Sequence, residues 1–145
     1  MKISAILDQK HVSGVAWIKT DATVTDALAT LADKGIGTLL VSEDGTKAKG
    51  ILSERDIVRA LARRGSASLS DPVDKIMTPD PVTCTADDNS ASVLKKMTNG
   101  RFRHVPVVEE NGTLLGVVSI GDIVKARLTD LEQEREALVD MIAGR

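Results

Sequence analysis

The sequence predicts an α+β fold, with two tandem βαββα repeats packed into one pseudo-two-fold module. Three observations predict it. The stretch Gly50-Ile51-Leu52-Ser53-Glu54-Arg55-Asp56-Ile57-Val58-Arg59-Ala60 recurs as Gly116-Val117-Val118-Ser119-Ile120-Gly121-Asp122-Ile123-Val124-Lys125-Ala126, at an offset of 66 residues. Upstream of each stretch, apolar residues fall first at helical spacing and then in a short strand-length run. With no Tyr, one Trp and one Phe in 145 residues, the core must be aliphatic. A repeat of this length constrains the whole architecture before any single element is assigned.

Both copies read in the same order. A short extended segment, Ala16 to Lys19 or Val82 to Thr85, leads into a helix. Its apolar residues are Val24, Ala27, Leu28 and Leu31 in the first copy and Val93, Leu94 and Met97 in the second. Thr25 and Asp26 are the candidate N-caps of the first helix, and Asp88 to Ser90 those of the second. An apolar strand follows, Thr38 to Val41 or Val105 to Val108. These two runs align at an offset of 67, which requires one insertion before the strand and one deletion after it. Glu43-Asp44-Gly45 or Glu110-Asn111-Gly112 turns the chain into a second strand ending at Leu52 or Val118. A last helix starts near Ser53 or Ser119.

The predicted boundaries are 8–66 for the first repeat, 67–75 for a linker, 76–130 for the second repeat and 131–145 for a C-terminal helix. Ser66 to Pro72, then Pro79 and Pro81, mark the break between copies. About fifty residues cannot bury a sheet alone, so the two sheets are expected to pack on each other around one core.

Composition narrows the function. Hydrophobic residues at 42% and charged residues at 28% are the proportions of a soluble globular chain. A formal charge of −2 gives no global basic field, so nucleic acid is not an expected partner. The longest apolar runs are too short to span a bilayer, no membrane partner is expected, and Met1-Lys2-Ile3-Ser4 opens no signal-peptide core. Cys84 is the only cysteine, which excludes an internal disulfide and fits a cytoplasmic location. His11, His104 and Cys84 lack metal-ligand spacing, so no metal is expected. Ser53 and Ser119 cannot be assembled with a base and oxyanion donors into a catalytic site. Gly35-Ile36-Gly37 follows a helix and precedes a strand, the reverse of a dinucleotide phosphate loop.

The strand Arg103-His104-Val105-Pro106-Val107-Val108 and the two Gly-φ-φ-Ser-x-x-Asp-φ-φ turns, φ being apolar, resemble the cystathionine-β-synthase (CBS) domain. Its tandem pair is often called a Bateman module. The resemblance covers about residues 1 to 130 and looks like a stand-alone bacterial CBS-pair protein. It implies an adenosine-containing ligand, AMP first and then ADP, ATP or NAD, held in clefts between the repeats. It also implies no catalytic cofactor and a flat, disc-like homodimer.

The chemistry of these residues suits such a ligand. Carboxylates accept hydrogen bonds from vicinal ribose hydroxyls, while hydroxyls and free helix-start amides donate to phosphate. By resemblance, Asp56 and Asp122 take the ribose, with Ser53 and Ser119 beside them. Capping of the helix explains the same Ser-Asp pair equally well. Arg103 and His104 match the family's basic positions and are expected to serve phosphate in the second cleft, with Arg101 facing solvent. In the first copy Ile36, Gly37 and Thr38 stand in their place. There Arg55, which aligns with Gly121, compensates, unless it pairs with Glu54 or Asp56 in solvent. By resemblance, Gly14, Val15 and the chain to Ile18, with Thr78, Pro79 and the chain to Val82, form the adenine slots. Trp17 is left unassigned.

Two further expectations remain. His104, unperturbed near 6.5, should gain charge as pH falls from about 8 to about 6 and strengthen binding in the second cleft. The tail stripe Leu128, Leu131, Leu138, Val139 and Ile142, broken by Arg135, covers its own module or meets a second subunit. The reading is a non-enzymatic regulatory module, an energy or redox-state sensor acting on an unidentified regulated protein. Its alternative is an interaction and dimerisation module that no longer binds ligand.

Overall fold

Each copy's Ser-x-x-Asp sequence fixes the point where a strand becomes a helix. Ser53 and Ser119 are N-caps in extended backbone, and their hydroxyls accept from the N–H groups of Asp56 and Asp122. In return each aspartate accepts its serine's backbone N–H at 2.9 Å. Such a reciprocal box satisfies two of the amides that a helix start otherwise leaves unpaired.

The computed structural model describes residues 1–10 and 15–144. Around the capped turns the elements run α1 Ile3–Gln9, β1 Trp17–Ile18, α2 Val24–Lys34, β2 Thr38–Val41, β3 Gly50–Ser53 and α3 Glu54–Arg64. Two short 3-10 turns then lead to β4 Thr78–Pro79, α4 Ser90–Gly100, β5 His104–Val108, β6 Leu114–Ser119 and α5 Ile120–Ile142. The first sheet has the order β1-β2-β3-β4, with β1 parallel to β2 and the other pairs antiparallel. The second is the antiparallel pair β5-β6. There the expected strand at Val82 to Thr85 is reduced to a parallel bridge at Cys84, whose N–H reaches Pro106 O at 3.0 Å.

Strand pairing corrects the repeat alignment. Thr38 faces Ser53 and Val41 faces Gly50, just as His104 faces Ser119 and Val107 faces Gly116. Thr38 and His104 are therefore equivalent, the offset stays at 66 through both strands, and no insertion or deletion is needed. Hydropathy alone misplaced the start of β5 because its first residue is the polar His104; hydrogen-bond register decides the matter.

The caps of α2 also differ from expectation. Thr23, not Thr25 or Asp26, is the N-cap, with Asp26 the reciprocal acceptor in its box, and Thr25 Oγ1 donates instead to Leu69 O at 2.9 Å. Asn89 caps α4, within the predicted span. Beyond Glu43-Asp44-Gly45 the chain stays in a loop until β3 begins at Gly50, and Gly45 (φ +82°) lies against the Trp17 ring.

Buried apolar residues form two clusters, not one sheet-on-sheet core. Val24, Ala27, Leu31, Leu39, Val41, Leu52, Ile57 and Val73 fill the first copy. Cys84, Val93, Met97, Val105, Val107, Val118, Ile123 and Ala126 fill the second, where Ile3 and Ile6 of α1 join them. Each copy thus completes its core with a segment from outside its own strands and helices: Val73 after the first, α1 ahead of it for the second. Gly50 and Gly116 allow these segments to approach. A Cβ on Gly50 would lie 2.9 Å from Thr78 O, and one on Gly116 2.8 Å from Leu7 Cδ2. Between copies, Leu114 N–H donates to Thr46 O at 2.8 Å.

Candidate functional site

Two cavities lie on either side of a contact between the repeats. Thr38 at the start of β2 and His104 at the start of β5 approach to 3.2 Å (Oγ1 to Nδ1), and both residues, with Gly37, line both cavities.

The cavity beside the first copy's helix start holds about 280 Å³ and is lined by Ser53, Arg55, Asp56, Thr78 and Arg103 of the expected residues. Arg59, Arg101, Phe102 and Glu54 line it too. This corrects the placement of Arg103, which was expected in the second cleft. His104 pairs with Ser119, and alternation turns the preceding side chain away from its own copy, although Arg103 O still accepts the Ile120 N–H at 2.8 Å. Arg101 is exposed as expected, yet it lines this cavity instead of facing solvent alone. Four arginines from two segments therefore converge near Asp56.

The capping and cleft roles of Ser53 and Asp56 are compatible. Both recorded bonds to the Asp56 carboxylate, from Ser53 N–H at 2.9 Å and its hydroxyl at 3.1 Å, fall on Oδ2. Its Oδ1 takes no part in the box. Among the described residues no ion pair ties Arg55 to Glu54 or Asp56.

The cavity beside the second copy's helix start holds about 380 Å³ and has mostly apolar walls, including Leu7, Val15, Ala16, Ile36, Leu115 and Val117. Its polar end is formed by His104, Ser119 and Lys10. Lys10 was not found from sequence, because a single lysine ahead of the first repeat belongs to no pattern. Its Nζ donates to Asp122 Oδ2 and to Val117 O, both at 2.9 Å. Burial opposes ionisation of Asp122, but bonds from Ser119 and the bond and charge of Lys10 outweigh it. The carboxyl is held below the usual aspartate value. Burial, aided by the Lys10 and Arg103 charges and opposed by Asp122, lowers His104 below the usual imidazole value.

Four expected residues line neither cavity: Asp122, expected to take the ribose in the second cleft but held by Lys10, and Ile18, Pro79 and Val82. Ile18 sits in β1 against the first core, while Pro79 and Val82 are exposed. Gly14 and His11 lie outside the described residues. Trp17 packs on Gly45 at a site apart from both cavities. Burial and the Asp88 charge raise the Cys84 thiol to about 11, so it remains a protonated core residue. Among the described residues no group of His, Cys, Asp and Glu could hold a metal ion. No helix is long and apolar enough to cross a membrane among them.

Arginine forks beside a carboxylate recognise an anion attached to a polyol, since guanidinium pairs bidentately with phosphate and the carboxylate accepts from hydroxyls. Comparison with known proteins gives this arrangement a family context. Residues 10–63 and 73–129 each match the CBS domain. A mitochondrial CBS domain-containing protein of Arabidopsis thaliana is 35% identical over 132 residues, covering 88% of this chain. The chain spans only 64% of that relative's length. The crystal structure of a CBS-domain containing protein from Agrobacterium tumefaciens superposes with a TM-score of 0.81 at 41% identity, covering 88% of this chain and 99% of that one. A CBS domain protein from Pyrobaculum aerophilum, complexed with AMP, gives a TM-score of 0.74 at 30% identity, covering 84% of this chain and 89% of that one.

Proposed function

Because the chain belongs to the CBS-domain family as a tandem pair, we propose that it is a non-catalytic regulatory module that binds adenine nucleotides between its repeats. The observation that carries this reading is the meeting of Arg55, Arg59, Arg101 and Arg103 with Ser53 and Asp56 in one cavity. The ribose hydroxyls donate to Asp56 Oδ1, and the phosphates take the guanidinium forks and the helix-start amides of α3. AMP is the first candidate ligand, with ADP, ATP and NAD behind it. AMP in the Pyrobaculum protein supports this order. The second-repeat cavity offers Lys10 in place of four arginines, with His104 common to both cavities, so it binds phosphate more weakly.

Arg55 and Arg59 come from the first copy and Arg101 and Arg103 from the second. A phosphate held by both pairs links the copies, and this differential contact biases the module between two states. The protein then works as a cytoplasmic homodimer that reports energy or redox state to a regulated partner. Calorimetric titration with AMP, ADP, ATP and NAD tests the reading, using wild type and Arg103→Ala. Binding that weakens at least tenfold in the variant is expected. Absence of heat with every nucleotide, from folded protein, would leave the interaction-module reading in its place.

A further inference from the structure

The helix α5 continues past the family match, which ends at residue 129, to Ile142, and every described residue from Leu131 onward is exposed. Its packed face is marked by the buried Ile123 and Ala126. On the opposite face Val124, Leu128, Leu131, Arg135, Leu138 and Ile142 recur at alternating steps of four and three residues. That is the a/d seam of a coiled coil, with Val124, Leu131 and Leu138 at d. Its apolar members are 46% exposed at Val124, 57% at Leu128, 53% at Leu131, 58% at Leu138 and 87% at Ile142. A helical stretch of about a dozen residues without packing is marginal in water, so this seam requires a partner helix.

We propose that the partner is α5 of a second copy, lying antiparallel, with Leu128 of each chain against Leu131 of the other. The charges flanking the seam select this arrangement. Lys125 and Arg127 flank it near the helix start, and Glu132 and Glu134 flank it one heptad, about two turns, further on. Antiparallel pairing about the midpoint between Thr129 and Asp130 brings Lys125 beside Glu132 of the second copy and Arg127 beside its Glu134, twice over by symmetry. The same register sets Leu138 opposite Gly121, where the absent side chain leaves a hole for it. It also sets the stem of Arg135 against Val124. A parallel pair would instead stack Arg135 on its own copy at the centre of the seam.

This surface specifies the homodimer proposed above and rests on that reading, so the test separates the two. Sedimentation velocity at micromolar concentration should give a dimer for wild type. For Leu131→Glu, an exposed site that leaves the fold intact, association should weaken at least tenfold. Lys125→Glu/Arg127→Glu and Glu132→Lys/Glu134→Lys should each be monomeric alone and dimeric when mixed. Since Cys84 is buried, introduced cysteines report orientation. Mixed Leu128→Cys and Leu131→Cys chains should form the mixed disulfide, and Leu138→Cys should form none with itself. A wild-type dimer unaffected by Leu131→Glu would overturn the α5 seam and leave the homodimer standing. A rapid Leu138→Cys homodisulfide would overturn the antiparallel arrangement, and a wild-type monomer would overturn both.

Discussion

Thr38 and His104 occupy equivalent places in the two repeats and hydrogen-bond to each other, Thr38 Oγ1 lying 3.2 Å from His104 Nδ1. The pseudo-two-fold relation thus passes between a hydroxyl and an imidazole, and the pair forms a wall common to both cavities. Duplication supplied the geometry, and divergence at this pair and its neighbours made the cavities unequal. Arg103 stands where the first copy has Gly37, and Arg101 where it has Gly35.

The first prediction concerns pH. Burial, with the Lys10 and Arg103 charges, lowers the folded pKa of His104, so the folded state favours neutral imidazole. Above the unfolded value near 6.5 both states are neutral and nothing is lost. As pH falls through 6.5 the unfolded chain binds a proton before the folded chain does, and stability declines. The melting temperature should fall over the window from 6.5 down to the folded pKa, and less in His104→Gln. The same shift revises the binding expectation: without ligand His104 gains its charge only below 6.5, so the step from pH 8 to 6 charges it less than an unperturbed imidazole. An equal decline in the variant would remove His104 as the cause.

How far the sequence could be read follows from the kind of signal involved. The Ser-x-x-Asp turns were legible because a helix start needs both residues at that spacing, and Ser53, Asp56, Ser119 and Asp122 stand as expected in the capped turns. The positions of Arg103 and Arg101 were not legible. Which copy a loop side chain faces depends on strand register and on packing between repeats, neither of which leaves a periodic trace. Lys10 was invisible for a related reason: it acts on Asp122, more than a hundred residues away in sequence. The two-cluster core was missed because Ile3 and Ile6 serve the repeat that follows second.

A second prediction tests Lys10. Its ammonium holds one Asp122 oxygen and helps keep that carboxyl below the usual aspartate value. In Lys10→Met the Asp122 pKa, followed by carbonyl NMR, should rise. The sign follows for stability: the lowered folded pKa contributes stability above the unfolded value of 3.8, lost as pH falls through the folded pKa. Lys10→Met should therefore flatten acid unfolding below pH 4, and an unchanged acid profile would detach Lys10 from Asp122.

A third prediction separates the two repeat glycines. Gly50→Ala drives a methyl against Met77 Sδ and places it 2.9 Å from the Thr78 carbonyl, which is backbone. Gly116→Ala meets only the far end of Leu7, at 2.8 Å. Side chains yield more cheaply than backbone, so Gly50→Ala should cost about 1–3 kcal/mol and Gly116→Ala less. Urea unfolding of both variants measures the order, and equal losses would contradict it.

The last prediction sets stability against binding at Arg101. This residue ends α4 in the left-handed conformation at φ +56°, where the first copy uses Gly35 at φ +63°. A left-handed helix C-terminus suits glycine because it has no Cβ to meet the following carbonyl, and a side chain there is strained by about 1 kcal/mol. Arg101 nevertheless stands at this position and lines the cavity that holds Arg55, Arg59 and Arg103. Strain kept at a cleft points to a role for the side chain in binding. Arg101→Gly should therefore raise the unfolding free energy by about 0.5–1 kcal/mol. The same variant should weaken nucleotide binding in proportion to phosphate number, most for ATP, less for AMP and not at all for adenosine. Arg101→Lys keeps the charge and the strain, so it should retain much of the binding and gain no stability. Denaturant unfolding and calorimetric titration of the two variants with adenosine, AMP and ATP provide the measurements. If Arg101→Gly is more stable and binds all three as wild type does, Arg101 is a strained cap with no part in phosphate recognition.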